Sequence, residues 1–374
     1  MMNIHNTETV PFNDLSRRYD AYSFEINEIA KRVLSSGYYI LGPETINLET
    51  KLTSFFSAAG AVATNSGTDS LHIALRALNI GQGDEVITVA NTCTPTIAAI
   101  RMTGAKPIFV DVEEDTLTMN PDDVERCITS RTKAILPVHL YGLPADMTSL
   151  MRIAEQHKLY VVEDCAQSIG ATVDGVYVGM IGSVGCISFY PTKNLGAFGD
   201  AWVIVSQNEH ICARASRLRV YGEQERNNAI EEGVNSRIDE IQAALVSWGL
   251  ENIFAWNQRR EDIAKRYLQN ISNPSVKLPV SNKEGRVRVW HLFVVQVSNR
   301  EKFLSHLSTH GVKVGVHYPH PVYKQKGYDF LGEDGKFLKT TERVTSQVVS
   351  LPLFPELTDI EVGRVIEVVN SYQP

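Results

Sequence analysis

Three segments of the chain hold residue types that do chemistry when a fold brings them together. The first is Ser188-Phe-Tyr-Pro-Thr-Lys-Asn-Leu-Gly196, continuing as Ala-Phe-Gly-Asp200. Most lysines are solvated surface charges, but Lys193 sits among apolar neighbours in a Pro/Gly-rich loop that follows an apolar run. A lysine held in a cleft is desolvated, so its pKa falls and its amine becomes a nucleophile toward carbonyl carbon. The second segment is Val161-Val-Glu-Asp-Cys-Ala-Gln-Ser168. Asp164 falls just past a buried-strand pattern, where it serves either as a helix N-cap or as a carboxylate facing a cationic ring nitrogen. The third is Thr64-Asn-Ser-Gly-Thr-Asp-Ser70, the pattern of a strand, a turn and a helix start. Gly67 lets the backbone approach a ligand, Thr68 offers a hydroxyl, and the helix start offers unpaired N–H groups; the same letters also make an ordinary capped helix. A phosphate cradle, a carbonyl-seeking lysine and a carboxylate for a pyridinium are together what pyridoxal 5'-phosphate requires.

These segments need a scaffold, and the chain between about residues 60 and 205 supplies its pattern. Short apolar runs at 60–64, 85–89, 107–112, 133–138, 159–162 and 185–189 alternate with helical stretches, including 69–78 and a start at Pro95. Asn120-Pro121-Asp-Asp reads as an N-cap followed by proline and acids in a first turn. Near-continuous apolar strands indicate burial on both faces, hence an α/β domain with a mixed, mostly parallel sheet flanked by helices. Ligands of such sheets lie at the carboxyl ends of the strands. Beyond Asn235 the pattern changes. It predicts one long helix over 236–267, strands over 289–297 and 312–316, and helices over 301–310 and 359–372. The expected division is a large domain over 1–250 and a smaller C-terminal α+β domain over 251–374.

Composition narrows the function classes. The chain has 374 residues, 43% apolar and 21% charged, with 36 basic against 43 acidic side chains and a net charge of −7. An extended nucleic-acid surface does not fit that balance. No apolar run approaches the ~20 residues that cross a bilayer, and Met1–Thr9 is polar, so the expected location is the cytoplasm. Cys93, Cys127, Cys165, Cys186 and Cys212 are scattered and form no C-x-x-C pair, which supports neither disulfides nor a metal site. No G-x-G-x-x-G joins a first strand to a helix, which disfavours a nicotinamide dehydrogenase.

The sequence resembles the sugar aminotransferases of the DegT/DnrJ/EryC1/StrS family over nearly its whole length. The resemblance is carried by Pro11-Phe-Asn-Asp-Leu, Ser36-Gly-Tyr-Tyr-Ile-Leu-Gly-Pro-Glu44, Ser66-Gly-Thr-Asp-Ser-Leu71, Pro137-Val-His-Leu-Tyr-Gly142, Glu163-Asp-Cys-Ala-Gln167, Ser188-Phe-Tyr-Pro-Thr-Lys-Asn194, Asn235-Ser-Arg-Ile-Asp-Glu-Ile-Gln-Ala243 and His317-Tyr-Pro319. It implies a fold-type-I aspartate aminotransferase architecture. It also implies that Lys193 bonds the cofactor covalently, that Asp164 pairs with the pyridine nitrogen, and that Gln167 faces the ring hydroxyl. Ser188, Gly67 and Thr68 would hold the phosphate. Asn235 would reach the phosphate of a neighbouring subunit, making a homodimer with shared active sites. His317 and Tyr318 match a segment that lines a sugar-nucleotide pocket, or serve as hinge residues. Where relatives often stack an aromatic residue on the cofactor, this chain has Cys93. Trp202 stands where a small residue is usual.

The implied reaction moves an amine from L-glutamate to a nucleotide-linked keto-sugar, for an amino sugar of a surface polysaccharide such as O-antigen lipopolysaccharide or of a glycosylated metabolite. The opening Pro-Phe-x-Asp-Leu and the His-Tyr-Pro-x-Pro segment favour C3 of a dTDP-linked 3-keto-6-deoxyhexose. The alternatives are amination at C4 of a 4-keto sugar and, more remotely, a non-enzymatic sugar-nucleotide binding protein on the same fold. Lys193 argues against the relatives that carry histidine there and act as dehydratases.

Overall fold

The computed structural model describes residues 9–283, 285–332 and 338–374. The polar N-terminal stretch read for targeting lies, except for Thr9, outside the described residues.

Seven strands form the main sheet, in the order Gly60–Thr64, Trp202–Ser206, Val184–Ser188, Tyr160–Asp164, Thr132–Leu136, Glu85–Val89 and Lys106–Val110. Trp202–Ser206 alone runs opposite to the other six strands. Glu85–Val89, Val184–Ser188 and Trp202–Ser206 are buried at every position, which is why the first two read as largely apolar runs. Helices cover the sheet; Gly67–Ala77 packs across Val184–Ser188 and Trp202–Ser206. The topology brings Thr64, Asp164 and Ser188, each the last residue of its strand, to one end of the sheet. Trp202 opens the antiparallel strand and so stands at that same end, paired with Thr64 on one side and Ser188 on the other.

A second, smaller sheet pairs Phe293–Gln296 antiparallel with Val348–Leu351. It packs with helices Ile253–Asn270, Arg300–Thr309 and Asp359–Asn370 around Ile263, Tyr267, Phe293, Phe303, Leu307 and Val365. This apolar cluster also takes in Val10, while Val289, Leu292, Val294, Val344 and Val348 join the cluster of the main sheet.

Six of the seven main-sheet strands fall within a residue or two of the runs that predict them. The C-terminal expectations need correction. The stretch 236–267 is two helices, Glu240–Gly249 and Ile253–Asn270, not one. Gly249 ends the first; a Cβ there would lie 2.7 Å from Leu195 Cδ1, so a larger residue would have to push the Leu195 side chain aside. Residues 236–239 are extended instead, with the Ser236 hydroxyl donating to Asp69 and accepting from the Asn65 amide. Residues 312–316 form no strand: Val312 bridges Val10 and Gly315 bridges Ser350, two different partners that build no ladder. The strand expected over 289–297 shrinks to Phe293–Gln296, because the amides of Val289 and His291 bond to the carbonyls of Gly142 and Tyr141. Three helices ahead of the first strand, Leu15–Ala21, Ser23–Ser36 and Pro43–Phe56, and the strands Trp202–Ser206 and Val348–Leu351 have no counterpart in the sequence reading.

Candidate active site

A cavity of about 500 Å³ opens at the carboxyl end of the main sheet, within the ~300–1,000 Å³ usual for small-ligand sites. Nine of the ten residues singled out in the sequence line it: Gly67, Thr68, Cys93, Asp164, Gln167, Ser188, Lys193, His317 and Tyr318. Asn235 does not; it is exposed, bridged through its backbone to Val220.

The anion pole of the cavity is the start of the Gly67–Ala77 helix. Ser66 caps it, its hydroxyl accepting from the Asp69 amide at 3.2 Å. The first-turn amides have no intrahelical acceptors and carry the positive end of the helix dipole. Ser188 and Thr68 bring hydroxyls to the same wall. Trp202 finds its explanation here: a Cβ on residue 67 would sit 2.3 Å from its indole ring, so the ring occupies the space a side chain at 67 would need. A large residue is tolerated at 202 because residue 67 has no side chain.

Asp164 is buried. Its carboxylate accepts from the Thr96 hydroxyl at 2.9 Å and the Ala166 amide at 3.1 Å. Burial pushes its pKa up, while those two donors, Lys193 and His139 pull it down. Thr96, in the first turn of the Thr94–Met102 helix, is a site residue that no sequence signal marked. Lys193 follows strand Val184–Ser188 in the same loop cluster; burial lowers its pKa to about 8, with Asp164 and Cys93 opposing. The amine is therefore reactive near neutrality.

Gln167 is fixed at both ends of its amide. Its Oε1 accepts from the Tyr141 amide at 2.6 Å and its Nε2 donates to the Tyr318 hydroxyl at 3.2 Å. Tyr318 is also beside Cys93, whose thiol pKa is raised by burial. His317 is held by the Ser350 hydroxyl at Nδ1 (2.9 Å), by the Tyr141 hydroxyl at its carbonyl, and by stacking on Phe12 at 5.5 Å. Gly315 makes room for it, since a Cβ there would lie 2.6 Å from His317 Cε1. Burial and Lys193 lower the His317 pKa to about 4, so the ring is neutral near pH 7. His291 and Leu353 complete this wall. Neither was legible in the sequence; Phe12 was, but only as part of the Pro-Phe-Asn-Asp-Leu resemblance.

His139, Glu163 and Cys165 form the one buried group of metal-ligand types among the described residues. Its polar atoms are used up by protein. His139 Nδ1 accepts the Ala145 amide, so Nε2 carries the proton and donates to Glu163. Glu163 also accepts the amides of Gly179, Ile181 and Gly182. This knot ties the strand end beneath Asp164 to the loop behind it.

The three poles suit pyridoxal phosphate: unpaired helix-start amides for its phosphate, a depressed-pKa lysine for its aldehyde, and a hydrogen-bonded carboxylate for its ring nitrogen. Relatives agree with that fit. The profile of the DegT/DnrJ/EryC1/StrS aminotransferase family matches residues 21–370. The dTDP-3-amino-3,4,6-trideoxy-alpha-D-glucose transaminase of Streptomyces venezuelae is 41% identical over 98% of this chain and 97% of its own. The dTDP-3-amino-3,6-dideoxy-alpha-D-galactopyranose transaminase of Aneurinibacillus thermoaerophilus is 42% identical over 97% of this chain and 99% of its own. The crystal structure of S. venezuelae DesV in complex with a ketimine intermediate superposes with a TM-score of 0.94 at 41% identity, covering 97% of this chain and 98% of that one. The chain thus belongs to the DegT/DnrJ/EryC1/StrS aminotransferase family and is a pyridoxal phosphate-dependent nucleotide-sugar transaminase.

Proposed function

We propose that the chain transfers the amino group of L-glutamate to C3 of a dTDP-linked 3-keto-6-deoxyhexose. The observation that carries this reading is the opening of Lys193, Asp164 and the Gly67 helix start onto one cavity. The choice of C3 rests on relatives whose names place the amine at that carbon on two different sugars; the C4 alternative is not favoured. When bound, the cofactor supplies an aldehyde and an electron sink.

The residues divide the remaining work. The Gly67 and Thr68 amides and the Ser188 hydroxyl bind the phosphate. Asp164 holds a proton on the ring nitrogen and is itself held by Thr96 and Ala166. Gln167 orients the ring hydroxyl, and Cys93 gives a thin apolar cover. Lys193 Nζ removes the proton from the α-carbon of glutamate and returns a proton in the second half of the cycle, a contribution of roughly 10²–10⁴-fold. His317 and Tyr318 face the sugar nucleotide.

The working unit in this reading is a cytoplasmic homodimer. Asn235 is exposed beside the loop that Ser236 ties to Asp69, placed to serve a partner's phosphate site. Tyr38, Tyr39 and Ile40 are also exposed, and Ile40 is bridged to Asp239 close by, as an apolar dimer face requires. The break at 250–252 is the joint between a domain over 1–250 and one over 251–374. The product feeds a surface polysaccharide or a glycosylated metabolite.

The test incubates the holoenzyme and L-glutamate with dTDP-linked 3-keto and 4-keto sugars and locates the new amine by NMR. An amine at C3 is expected. An amine at C4 only, or none from either sugar, sinks the assignment.

A further inference from the structure

His291 is a cavity residue that the reaction as described does not use. Its backbone is clamped: the amide donates to the Tyr141 carbonyl, and the carbonyl accepts from the buried Arg260 guanidinium, which also holds the Leu353 carbonyl. Its ring is the end of a relay of side-chain amides. Asn257 Nδ2 donates to the Ile169 carbonyl at 3.1 Å; Asn194 Nδ2 donates to Asn257 Oδ1 at 2.7 Å; Asn194 Oδ1 meets His291 Nδ1 at 3.1 Å.

The direction of that relay is determined by its far end. A backbone carbonyl can only accept, so Asn257 must turn its NH₂ toward Ile169 and its oxygen toward Asn194. Asn194 must then donate to Asn257 and present its own oxygen to His291. The His291 Nδ1 has only an acceptor to face, so it carries the hydrogen. Nε2 is left with a lone pair. Among the described residues Nε2 has no hydrogen-bond partner and neither does Lys193 Nζ, and both residues line the same cavity. Lys193 adjoins Asn194 in the chain and is the largest charged influence on the imidazole, ahead of Arg260 and His317. Burial, together with Lys193, Arg260 and His317, disfavours a second proton on the ring.

We propose that the Ile169–Asn257–Asn194 relay makes His291 a positioning residue for Lys193, with Nδ1 protonated and the Nε2 lone pair offered to an N–H of the Lys193 amine whenever that amine is not bonded to the cofactor. The lysine would otherwise sweep the cavity on four rotatable bonds. An acceptor on a clamped ring narrows that sweep. The inference rests on the reading of Lys193 as the reacting amine, and its first test does not.

Selective ¹⁵N-histidine labelling of the full-length protein, with and without pyridoxal phosphate, reads the tautomer directly. The His291 signals are those lost in H291N. A protonated-type Nδ1 and a lone-pair-type Nε2 are expected; a protonated Nε2 overturns the proposal whatever the substrate is. N257L cuts the relay outside the cavity and is expected to mix the two tautomers, and an unchanged spectrum also overturns it. The kinetic arm uses H291N, which keeps an amide near the Nδ1 position and leaves nothing at Nε2. Its kcat is expected to fall about tenfold, one hydrogen bond's worth, with KM for both substrates within about twofold. H291Q, whose amide reaches the Nε2 position, is expected to recover part of the loss. An unchanged kcat in H291N overturns the proposal, and so does a raised KM with kcat intact, which would make His291 a substrate contact. Should H291N not fold, the signals lost in H291Q give the assignment, and the parent and N257L spectra decide. Full turnover in Lys193→Ala alongside the expected tautomer would place the failure with the Lys193 reading and not with the relay.

Discussion

The two walls of the cavity are built differently. The sheet wall consists of strand ends and a helix start: Asp164, Ser188, Trp202 and the Gly67 turn sit where the strand register puts them. Slipping any one strand by a residue would turn its side chains to the other face, so these positions are over-determined. The C-terminal wall consists of irregular backbone around His291, His317, Tyr318 and Leu353, held by single polar contacts from remote residues. Arg260 holds the 290–291 and 353 carbonyls, Arg288 holds the Tyr141 carbonyl, and Ser350 holds the His317 ring. The difference separates two demands. In the proposed reading the strand ends and the helix start address a fixed cofactor, while His317 and Tyr318, which would address the sugar, rest on segments whose anchors can change without disturbing the sheet. Substitutions in the first wall should therefore abolish chemistry, and substitutions in the second should change affinity, His291 apart, because the proposed relay turns its ring toward Lys193.

The sharpest form of the comparison is Lys193→Ala. Loss of the covalent cofactor absorbance and a fall in turnover of at least roughly 10²–10⁴-fold are expected, read by visible spectroscopy and single-turnover kinetics. Undiminished transamination would show that the sheet wall does not carry the chemistry. The unaltered protein offers a companion measurement. With its amine at a pKa of about 8 and not 10.5, Lys193 is mostly ammonium below that value and mostly free amine above it. The rate of cofactor capture by the apoprotein should rise with pH, reach half its plateau near pH 8 and level off above it. A rise that continues toward pH 10 would mean that the lysine is solvated.

Next in size is Asp164→Asn. The neutral amide keeps the shape but loses the charge that, in the proposed reading, would hold a proton on the ring nitrogen. A fall in kcat of about 10²–10³-fold is expected, the scale of removing a preorganised electrostatic partner. The melting temperature should change little or rise, because burial disfavours the carboxylate charge in the folded state. A wild-type rate would remove Asp164 from the machinery and leave it as a structural link between Thr96 and the strand end.

How far each wall was legible in the sequence follows from the same contrast. The Ser-Gly-Thr-Asp-Ser and Glu-Asp-Cys-Ala-Gln segments announce themselves locally, because a capped helix start and a polar residue after an apolar run are short-range patterns. Lys193 needed the neighbouring apolar residues and the resemblance as well. The relation of Trp202 to Gly67 was invisible: the two residues meet only because an antiparallel strand is inserted next to the first. In the C-terminal half the periodicity itself misled. Residues 243–247 are buried on every side of their helix, so the apolar pattern ran through the break at 250–252 unmarked. The extended stretch at 312–316 has strand-like residues but makes contacts with two unrelated partners. Arg260 reads as an ordinary surface charge on the Ile253–Asn270 helix, yet it is 1% exposed. Contacts that span dozens of residues leave no local signal.

The smallest expected effect tests the comparison most closely, because it touches the second wall without touching the cavity's lining. Ser350 is buried in strand Val348–Leu351, and its hydroxyl bonds His317 Nδ1 at 2.9 Å. Its backbone pairs with Gly315 through both the amide and the carbonyl, so Ser350→Ala keeps the strand and the bridge. What is lost is one hydrogen bond to a neutral imidazole. The ring can then turn about its remaining contacts, the Phe12 stack and the gap over Gly315. One such bond is worth about 0.5–1.5 kcal/mol, so the KM for the sugar nucleotide should rise by roughly two- to tenfold. Cofactor absorbance and the glutamate half-reaction, both duties of the sheet wall, should stay as they are. Steady-state kinetics with the keto-sugar and stopped-flow spectra with glutamate separate the two. A fall in the glutamate half-reaction with sugar KM unchanged would mean that His317 serves the cofactor chemistry, and the division between the walls would be wrong at that residue.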